Sequence, residues 1–432
     1  MTTTKLVYVI ISIMTIAVIG VGFVGLVSAA VFAKFGNTVW AINRDEKKSS
    51  RLKKGKLPFF EPGLEELVKD NVRAGRLHFT TDYPKAISSA DIIMIAVGTP
   101  SARDGTANLS AVFAAAKSAA PHLKKDAIII IKSTVPPGTN DKVKEIIKQH
   151  TSVNFHLASV PEFLREGTAV EDTLHPDRIL IGAAKPSVIK RLLELHRPLN
   201  GETVVMKPES AQLTKYTANA YLATRIVFIN QIADLAEKTG ADVQEIIRGI
   251  GLDNRIGLHY WWPGLGFGGS CFPKDIKELA AYAKRVGEGD GLFEKIDRLN
   301  EERLSKMLAK FEKAGGGWNK KTVAVLGLSF KPNTDDTREA PSLKVIPILK
   351  SAGAAVKTYD PQVKNSTAPD PYSAAADADI LMILVEWDEF RSLDLTRIKE
   401  LMRPNPVFID TRNLYNPETV TEKGFKYIGI GR

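Results

Sequence analysis

The feature that most constrains this chain lies near its start, where an apolar stretch, IAVI, leads into Gly20-Val21-Gly22-Phe23-Val24-Gly25 and on through FVGLVSAAVFAKFG without a break. A second apolar segment, NTVWAIN, follows. The pattern predicts strand, tight turn, helix and strand over 16–42, a βαβ unit whose strands run parallel. Each glycine has its own task. Gly20 permits the turn, Gly22 lets an anionic ligand approach bare backbone, and Gly25 lets helix and strand pack closely. The helix N-terminus then favours the pyrophosphate of a dinucleotide.

Apolar strands at 91–97 and 127–131, separated by helical stretches such as 109–120, continue the alternation and imply a doubly wound parallel sheet with ligands at the carboxyl ends of its strands. From Glu209 to Lys238 the pattern changes to one long helical run without Gly or Pro. It reads as the spine of a central helical domain and as a dimerisation surface. KAGGGWNKK, at 313–321, is expected to be a loop, after which TVAVLGLSF restarts a strand and further strands are expected at 354–360, 379–385 and 406–410. The fold class is therefore α/β: two Rossmann-like doubly wound parallel-sheet domains joined by a central helical domain. Boundaries are expected at 14–205, 206–312 and 318–432, in keeping with a length of 432 residues that exceeds one ordinary core.

No charged residue separates Lys5 from Lys34, a length sufficient to cross a bilayer. The glycine turn and its helix account for the second half, and what precedes them is too short to span. Residues 1–13 are expected to be an apolar extension or a misassigned start, with a membrane anchor as the alternative.

The net charge of +10 is spread along the chain. Its densest cluster, Lys47 to Lys56, reads as a solvated helix face, so no nucleic-acid partner is expected. Cys271 is the single cysteine, which excludes an intrachain disulfide and points to a reducing, cytoplasmic setting. No metal site is expected.

Where an Asp or Glu ordinarily holds the adenosine ribose, this chain has Asn43 followed by Arg44. Asn43 can bind a hydroxyl but lacks the charge that repels a 2′-phosphate, and Arg44 suits such a phosphate. NAD is expected, NADP use stays open, and Asp45 is the alternative source of the acid.

The segment GLGFGGSCFPKD, 264–275, carries the chemistry. Its glycines allow close backbone approach, and Pro273 suits the first turn of a helix. Cys271 would then sit near a helix N-terminus, where the dipole and Lys274 favour a thiolate, with Asp275 on the same face.

With these blocks the chain resembles the UDP-glucose/GDP-mannose dehydrogenase family, most closely its UDP-glucose 6-dehydrogenase branch. The likeness runs from Met14 to the C-terminus through EPGLEEL, STVPPGT, PEFLREG, KYTANAYLAT, the cysteine segment, FKPNTDDTRE and DTRN. It implies oxidation of a nucleotide sugar's hydroxymethyl group by two hydride transfers, through a thiohemiacetal and a thioester on Cys271. It further implies that Lys215, with Asn219 a turn later, stabilises an oxyanion, that Asp275 directs water through Thr134, and that Glu162 is an acid or base or else positions the hydrolytic water. Cofactor contacts are implied for Phe23, Val24, Lys48, Thr99, Thr134, Lys274, Arg338 and for Glu166, one turn beyond Glu162 if that stretch is helical. Sugar-nucleotide contacts are implied for Glu162, Phe163, Leu164, Lys215, Asn219, Phe267, Gly268, Lys331 and Arg412, with Arg255 reaching the partner's substrate in a homodimer. Ser270 replaces the histidine usual in enzymes of N-acetylated hexosamines. Three alternatives stay open: GDP-mannose or another nucleotide sugar, a simple two-electron NADP-dependent hydroxyacid-type dehydrogenase that would not need Cys271, and a non-catalytic or membrane-attached sugar-nucleotide binder.

Overall fold

The computed structural model describes residues 13–289 and 291–432, so the expected extension at 1–13 lies, apart from Ile13, outside the described residues. The chain divides into two compact units: one runs to Lys215 apart from 103–106, and the other takes Arg103–Thr106 and Tyr216–Arg432.

The first unit is built on β1 (Thr15–Ile19), β2 (Thr38–Ile42), β3 (Leu77–Thr80), β4 (Ile92–Ile95), β5 (Ala127–Ile131), β6 (Phe155–Ser159), β7 (Arg178–Gly182) and β8 (Glu202–Met206). Their spatial order is β3-β2-β1-β4-β5-β6-β7-β8. The order reverses between β1 and β4, which opens a crevice at the carboxyl ends of those strands. IIMI in β4 and AIIII in β5 are buried throughout, as strands covered on both faces must be. One part departs from a wholly parallel sheet. β7 meets β6 antiparallel at Ser159 and Gly182, and β8 runs parallel to β7, because the loop after β6 leads only to the short helix Ala169–Leu174 and back.

The long helix Pro208–Thr239 begins in this unit. There Gln212 Nε2 donates to Asn140 Oδ1 and Ser159 Oγ at 2.9 and 3.0 Å. A side chain at Gly182 would overlap Ala211, its Cβ at 2.8 Å, so the glycine lets helix and sheet touch.

The second unit holds the rest of that helix, the helices Val243–Gly251, Phe272–Arg285 and Leu292–Gly315, and a five-stranded parallel sheet. Its strands are β9 (Thr322–Leu326), β10 (Ala355–Tyr359), β11 (Ile380–Ile383), β12 (Val407–Asp410) and β13 (Lys426–Ile428), in the order β10-β9-β11-β12-β13. The expected loop at 313–321 starts later than its glycines suggest. The helix carries on through Gly315 and ends on Gly316 at φ 80°, with Gly317 N–H donating to Glu312 O at 2.8 Å, a closure that a left-handed glycine makes cheap. Among the described residues, no helix is long and apolar enough to cross a membrane.

Candidate active site

The glycine turn divides its work as the spacing requires. Gly20 sits at φ 103°, where a Cβ would lie 2.5 Å from the Ala96 carbonyl oxygen. A Cβ on Gly25 would lie 1.9 Å from Gly20 O, so the first helix, Phe23–Lys34, packs directly on the turn. Gly22 is different: nothing lies within 4 Å of its Cβ position. Exposed space at a helix N-terminus fits a pyrophosphate. Phe23 stacks on Phe59 at 4.6 Å, and Val24 is half-buried beside it in the helix.

Asn43 follows β2, and its amide donates to Asp45 O at 3.1 Å. Asp45 does not replace the missing acid. Its carboxylate caps the helix Glu46–Lys53 by accepting from Lys48 N–H at 3.1 Å. Arg44 is exposed and hydrogen-bonds Tyr83. Burial lowers the pKa of Lys48 despite the opposing pull of Asp45. The edge of the crevice thus presents an amide and two basic side chains. Of the basic cluster beyond it, Lys47, Arg51, Lys53, Lys54 and Lys56 are exposed, as a solvated face should be.

At the ends of β4 and β5, Thr99 Oγ1 donates to Thr134 O at 3.0 Å, tying the two loops together. Glu162 stands on the loop after β6. Its Oε2 accepts from Leu164 N–H at 2.8 Å, and its Oε1 lies 3.3 Å from Lys215 Nζ. The Phe163 ring has Arg178 at 3.9 Å and Lys215 at 5.2 Å. Residues 161–165 are not helical, so Glu166 does not follow Glu162 by a helical turn; it is buried at the bend before the helix Ala169–Leu174. That bend is fixed by Glu61, whose buried carboxylate accepts from Gly167 and Ala169 N–H at 2.6 and 2.7 Å. Glu61 belongs to EPGLEEL, but only the fold reveals what it holds.

The sequence reading also missed Lys132 and His196, both buried. They share a cavity of about 250 Å³ with Glu162, Phe163 and Arg178. Burial lowers the Lys132 pKa to about 8, with Glu162 opposing and Lys215 reinforcing the shift. Burial, then Lys132, lowers that of His196 to about 4. A lone lysine directly after AIIII was the available signal.

In the second unit Cys271 is the exposed N-cap of the helix Phe272–Arg285, with Pro273 in its first turn. Ser270 Oγ lies 3.6 Å from its sulfur. Asp275 N–H donates to Cys271 O at 3.0 Å, which places the carboxylate one turn along. Asp275 is buried. Its Oδ2 accepts from Asn219 Nδ2 at 2.6 Å and its Oδ1 pairs with Lys274 Nζ at 2.5 Å. The ammonium expected to favour the thiolate is thus directed at Asp275. Burial, with Asp275 and Glu278, raises the pKa of the adjacent Tyr216 far beyond the usual phenol range.

Glycines 264–269 thread a crowded passage. Gly264 N–H donates to Asn230 Oδ1 at 2.8 Å, while its carbonyl accepts from Arg303 Nε at 3.0 Å. Asn300 clamps Phe267 through both backbone groups, at 2.7 and 3.1 Å. A Cβ on Gly268 would lie 2.2 Å from Glu339 O, and one on Gly269 would lie 2.6 Å from the Phe330 ring. Lys331 follows that ring, in a turn whose backbone amides at Leu328 and Ser329 are bound by Asp360 at 2.7 and 3.0 Å. Arg412 approaches the same passage: its Nη1 would lie 3.0 Å from a Gly264 Cβ. Its other two donors grip Glu386 at 2.6 and 2.7 Å. Burial alone would raise the pKa of Glu386, but this pairing holds it below the ordinary value. Asp410 of DTRN accepts from the backbone of Arg412 and Tyr415 at 3.1 and 3.0 Å, fixing where the guanidinium starts. Arg255 and Arg338 are exposed side chains, each forked onto a nearby carboxylate, Asp253 and Asp336, at 2.7 and 2.6 Å.

Three domain models of the UDP-glucose/GDP-mannose dehydrogenase family match the chain: the NAD binding domain over 14–200, the central domain over 209–302 and the UDP binding domain over 324–417. The UDP-glucose 6-dehydrogenase of Rhizobium meliloti is 46% identical over 97% of this chain and 100% of its own length. UDP-glucose 6-dehydrogenase TuaD of Bacillus subtilis is 44% identical over 96% and 93%. Among solved structures, a UDP-glucose dehydrogenase from Pyrobaculum islandicum superposes with a TM-score of 0.88 at 35% identity, covering 97% of this chain and 98% of the other. A UDP-D-ManNAc dehydrogenase from Pyrococcus horikoshii gives 0.87 at 29%, covering 96% and 99%.

Proposed function

The chain belongs to the UDP-glucose/GDP-mannose dehydrogenase family, and on that footing we propose that it oxidises the hydroxymethyl group of UDP-glucose to a carboxylate, giving UDP-glucuronate, with NAD as hydride acceptor. The observation that carries this reading is the exposed Cys271 at a helix N-terminus, one turn before a buried carboxylate held by Asn219 and Lys274. A simple alcohol dehydrogenase has no use for such a thiol. Bound NAD takes up hydride; the rest of the chemistry belongs to the chain.

In this reading Lys215 stabilises the negative oxygen that develops at the reacting carbon. Glu162, 3.3 Å from that ammonium, takes the hydroxyl proton. Cys271 adds to the resulting aldehyde and keeps it bound as a thiohemiacetal, whose carbon again bears a transferable hydride. The second transfer leaves a thioester. Asp275 directs the water that hydrolyses it, with Thr134 as its partner and Asn219 fixing the carboxylate. Gly20, Gly22, Phe23, Val24 and Gly25 cradle the dinucleotide, Asn43, Arg44 and Lys48 meet its adenosine end, and Thr99, Glu166, Lys274 and Arg338 complete its contacts. Phe163, Leu164, Phe267, Gly268, Lys331 and Arg412 hold the sugar nucleotide. Arg412 still has one donor edge beside the glycine passage for a phosphate oxygen.

UDP-glucose is preferred because relatives 46% and 44% identical to the chain are named UDP-glucose 6-dehydrogenase, and because Ser270 leaves a small hydroxyl beside the sulfur. A homodimer is supported by the long helix, on which Tyr221, Phe228 and Leu235 recur every seventh residue and are each more than half exposed. Such a stripe is self-complementary between two copies, and the exposed Arg255 would reach across it. A nucleophilic thiol must stay reduced, which favours the cytoplasm.

The test is chemical modification. Iodoacetamide should add one label, on Cys271, with loss of UDP-glucose-dependent NAD reduction, and UDP-glucose should protect against both. Full activity of the labelled protein would defeat the proposal.

A further inference from the structure

Each oxidation of an alcohol by NAD releases a proton, and in the reading above Glu162 receives it. A carboxylate paired with a lysine needs an outlet before the next turnover. Behind Glu162 lies the cavity of about 250 Å³, roomy enough for several waters. Its wall carries two buried groups with no role so far. Lys132 follows β5 directly and is buried, lining the cavity together with Glu162. His196 Nδ1 donates to the Leu192 carbonyl at 2.8 Å, which leaves Nε2 with its lone pair, buried and without a partner.

The other charges around this cavity are largely matched among themselves. Arg165 binds Asp172 at 2.6 Å, His175 faces Glu171 at 3.7 Å, and Arg178 lies over Phe163 at 3.9 Å, with Asp177 exposed at the rim. The groups left to act on Lys132 are Glu162 from the loop after β6, Lys215 from the long helix and His196 from the helix Pro186–His196. Two buried lysines thus share one carboxylate. Lys215 lies within ion-pair distance of it, so Lys132 is the ammonium whose charge burial disfavours.

We propose that Lys132 is a positioning residue that acts through Glu162, receiving by way of water in this cavity the proton that Glu162 takes from the substrate hydroxyl. This rests on the proposed role of Glu162. In the first oxidation the C–H bond breaks and its hydride goes to NAD. The O–H proton passes to Glu162 and on through water to the neutral Lys132 amine, giving an aldehyde, NADH and a lysine ammonium that later returns its proton to solvent. Its pKa of about 8 suits that task, since the amine accepts and releases protons close to neutral pH. The sign follows: the acceptor is the neutral form, so turnover should rise as pH increases through about 8.

The wild-type pH profile of kcat on UDP-glucose and NAD is the first reading. It should climb between about pH 7 and 9; a flat profile there overturns the proposal without any variant. Lys132→Arg and Lys132→Ala are then compared, with NAD and UDP-glucose affinities and melting temperature as controls. Lys132→Arg should lose kcat by roughly a hundredfold with little change in KM, because a guanidinium keeps its proton. Lys132→Ala should be equally slow, and methylamine or ethylamine should restore turnover in proportion to the free base present. Wild-type turnover in Lys132→Arg would mean that charge alone suffices and would refute the relay. A protein that never reduces NAD with UDP-glucose, or a Glu162→Gln variant at full rate, would fail the underlying assignment instead.

Discussion

Replacing Gly25 by Ala tests whether the glycine turn is the cofactor site. The added Cβ would lie 1.9 Å from Gly20 O, and an ordinary C···O contact is about 3.3 Å, so helix and turn must separate by roughly 1.4 Å. Gly20 is itself backed by the Ala96 carbonyl, whose oxygen lies 2.5 Å from where a Cβ of Gly20 would stand, which leaves the turn little room to shift. The first helix must therefore retreat, taking its N-terminal amides away from the pyrophosphate. Overpacking of this kind costs about 1–3 kcal/mol of stability. Loss of one hydrogen bond to a charged oxygen removes about 1.5–3 kcal/mol of binding, on the order of 10- to 100-fold in Kd. Gly22→Ala is the paired control. Its Cβ meets nothing within 4 Å, so stability should hold while NAD binding falls. NAD titration by calorimetry, with urea unfolding on the same samples, reads both quantities, and UDP affinity should stay unchanged. Wild-type NAD affinity in Gly25→Ala would refute the reasoning.

Other outcomes follow from the same geometry. Because Asp45 is engaged as a helix cap, NADP should bind measurably, and Asn43→Asp should widen the NAD to NADP preference by at least about tenfold; unchanged dissociation constants would contradict this. Asp275→Asn removes the carboxylate that holds both Asn219 and Lys274, so turnover should fall by roughly 10² or more and a thioester adduct on Cys271 should accumulate in intact-mass spectra. His196 supplies a pH signature of stability. Its folded pKa, about 4, lies below the unfolded value, about 6.5, so its contribution is complete above pH 6.5 and is lost as pH falls towards 4. The loss amounts to about 3 kcal/mol. His196→Phe should flatten that part of the urea-unfolding profile, and an unaltered slope would assign acid sensitivity elsewhere.

Local patterns made much of this molecule legible. The strand, turn and helix around Gly20 are written in a few adjacent residues, as is the placing of Cys271 before Pro273 at a helix start. The reversal of β7 was not legible, since RILIG reads as an apolar strand in either direction. Nor was the helix end at Gly315, because a glycine run does not say which of its members adopts the left-handed turn. The remaining gaps share one cause. Glu61 acts on a bend 106 residues away, Asn300 on Phe267 at a separation of 33, and Asp360 on Leu328 at 32. Such partners are set by tertiary packing, and neither residue of a pair announces the other. The commitment of Asp45 to a cap and of Lys274 to Asp275 likewise depends on rotamers that spacing does not specify.

The central claim is that a single sulfur carries the sugar through both oxidations. It is tested most directly by counting NADH formed per UDP-glucose consumed, with purified protein and with Cys271→Ala. Wild type should give about two per sugar and Cys271→Ala no more than about one, with no uronate; two per sugar and full uronate yield without the thiol would contradict the account.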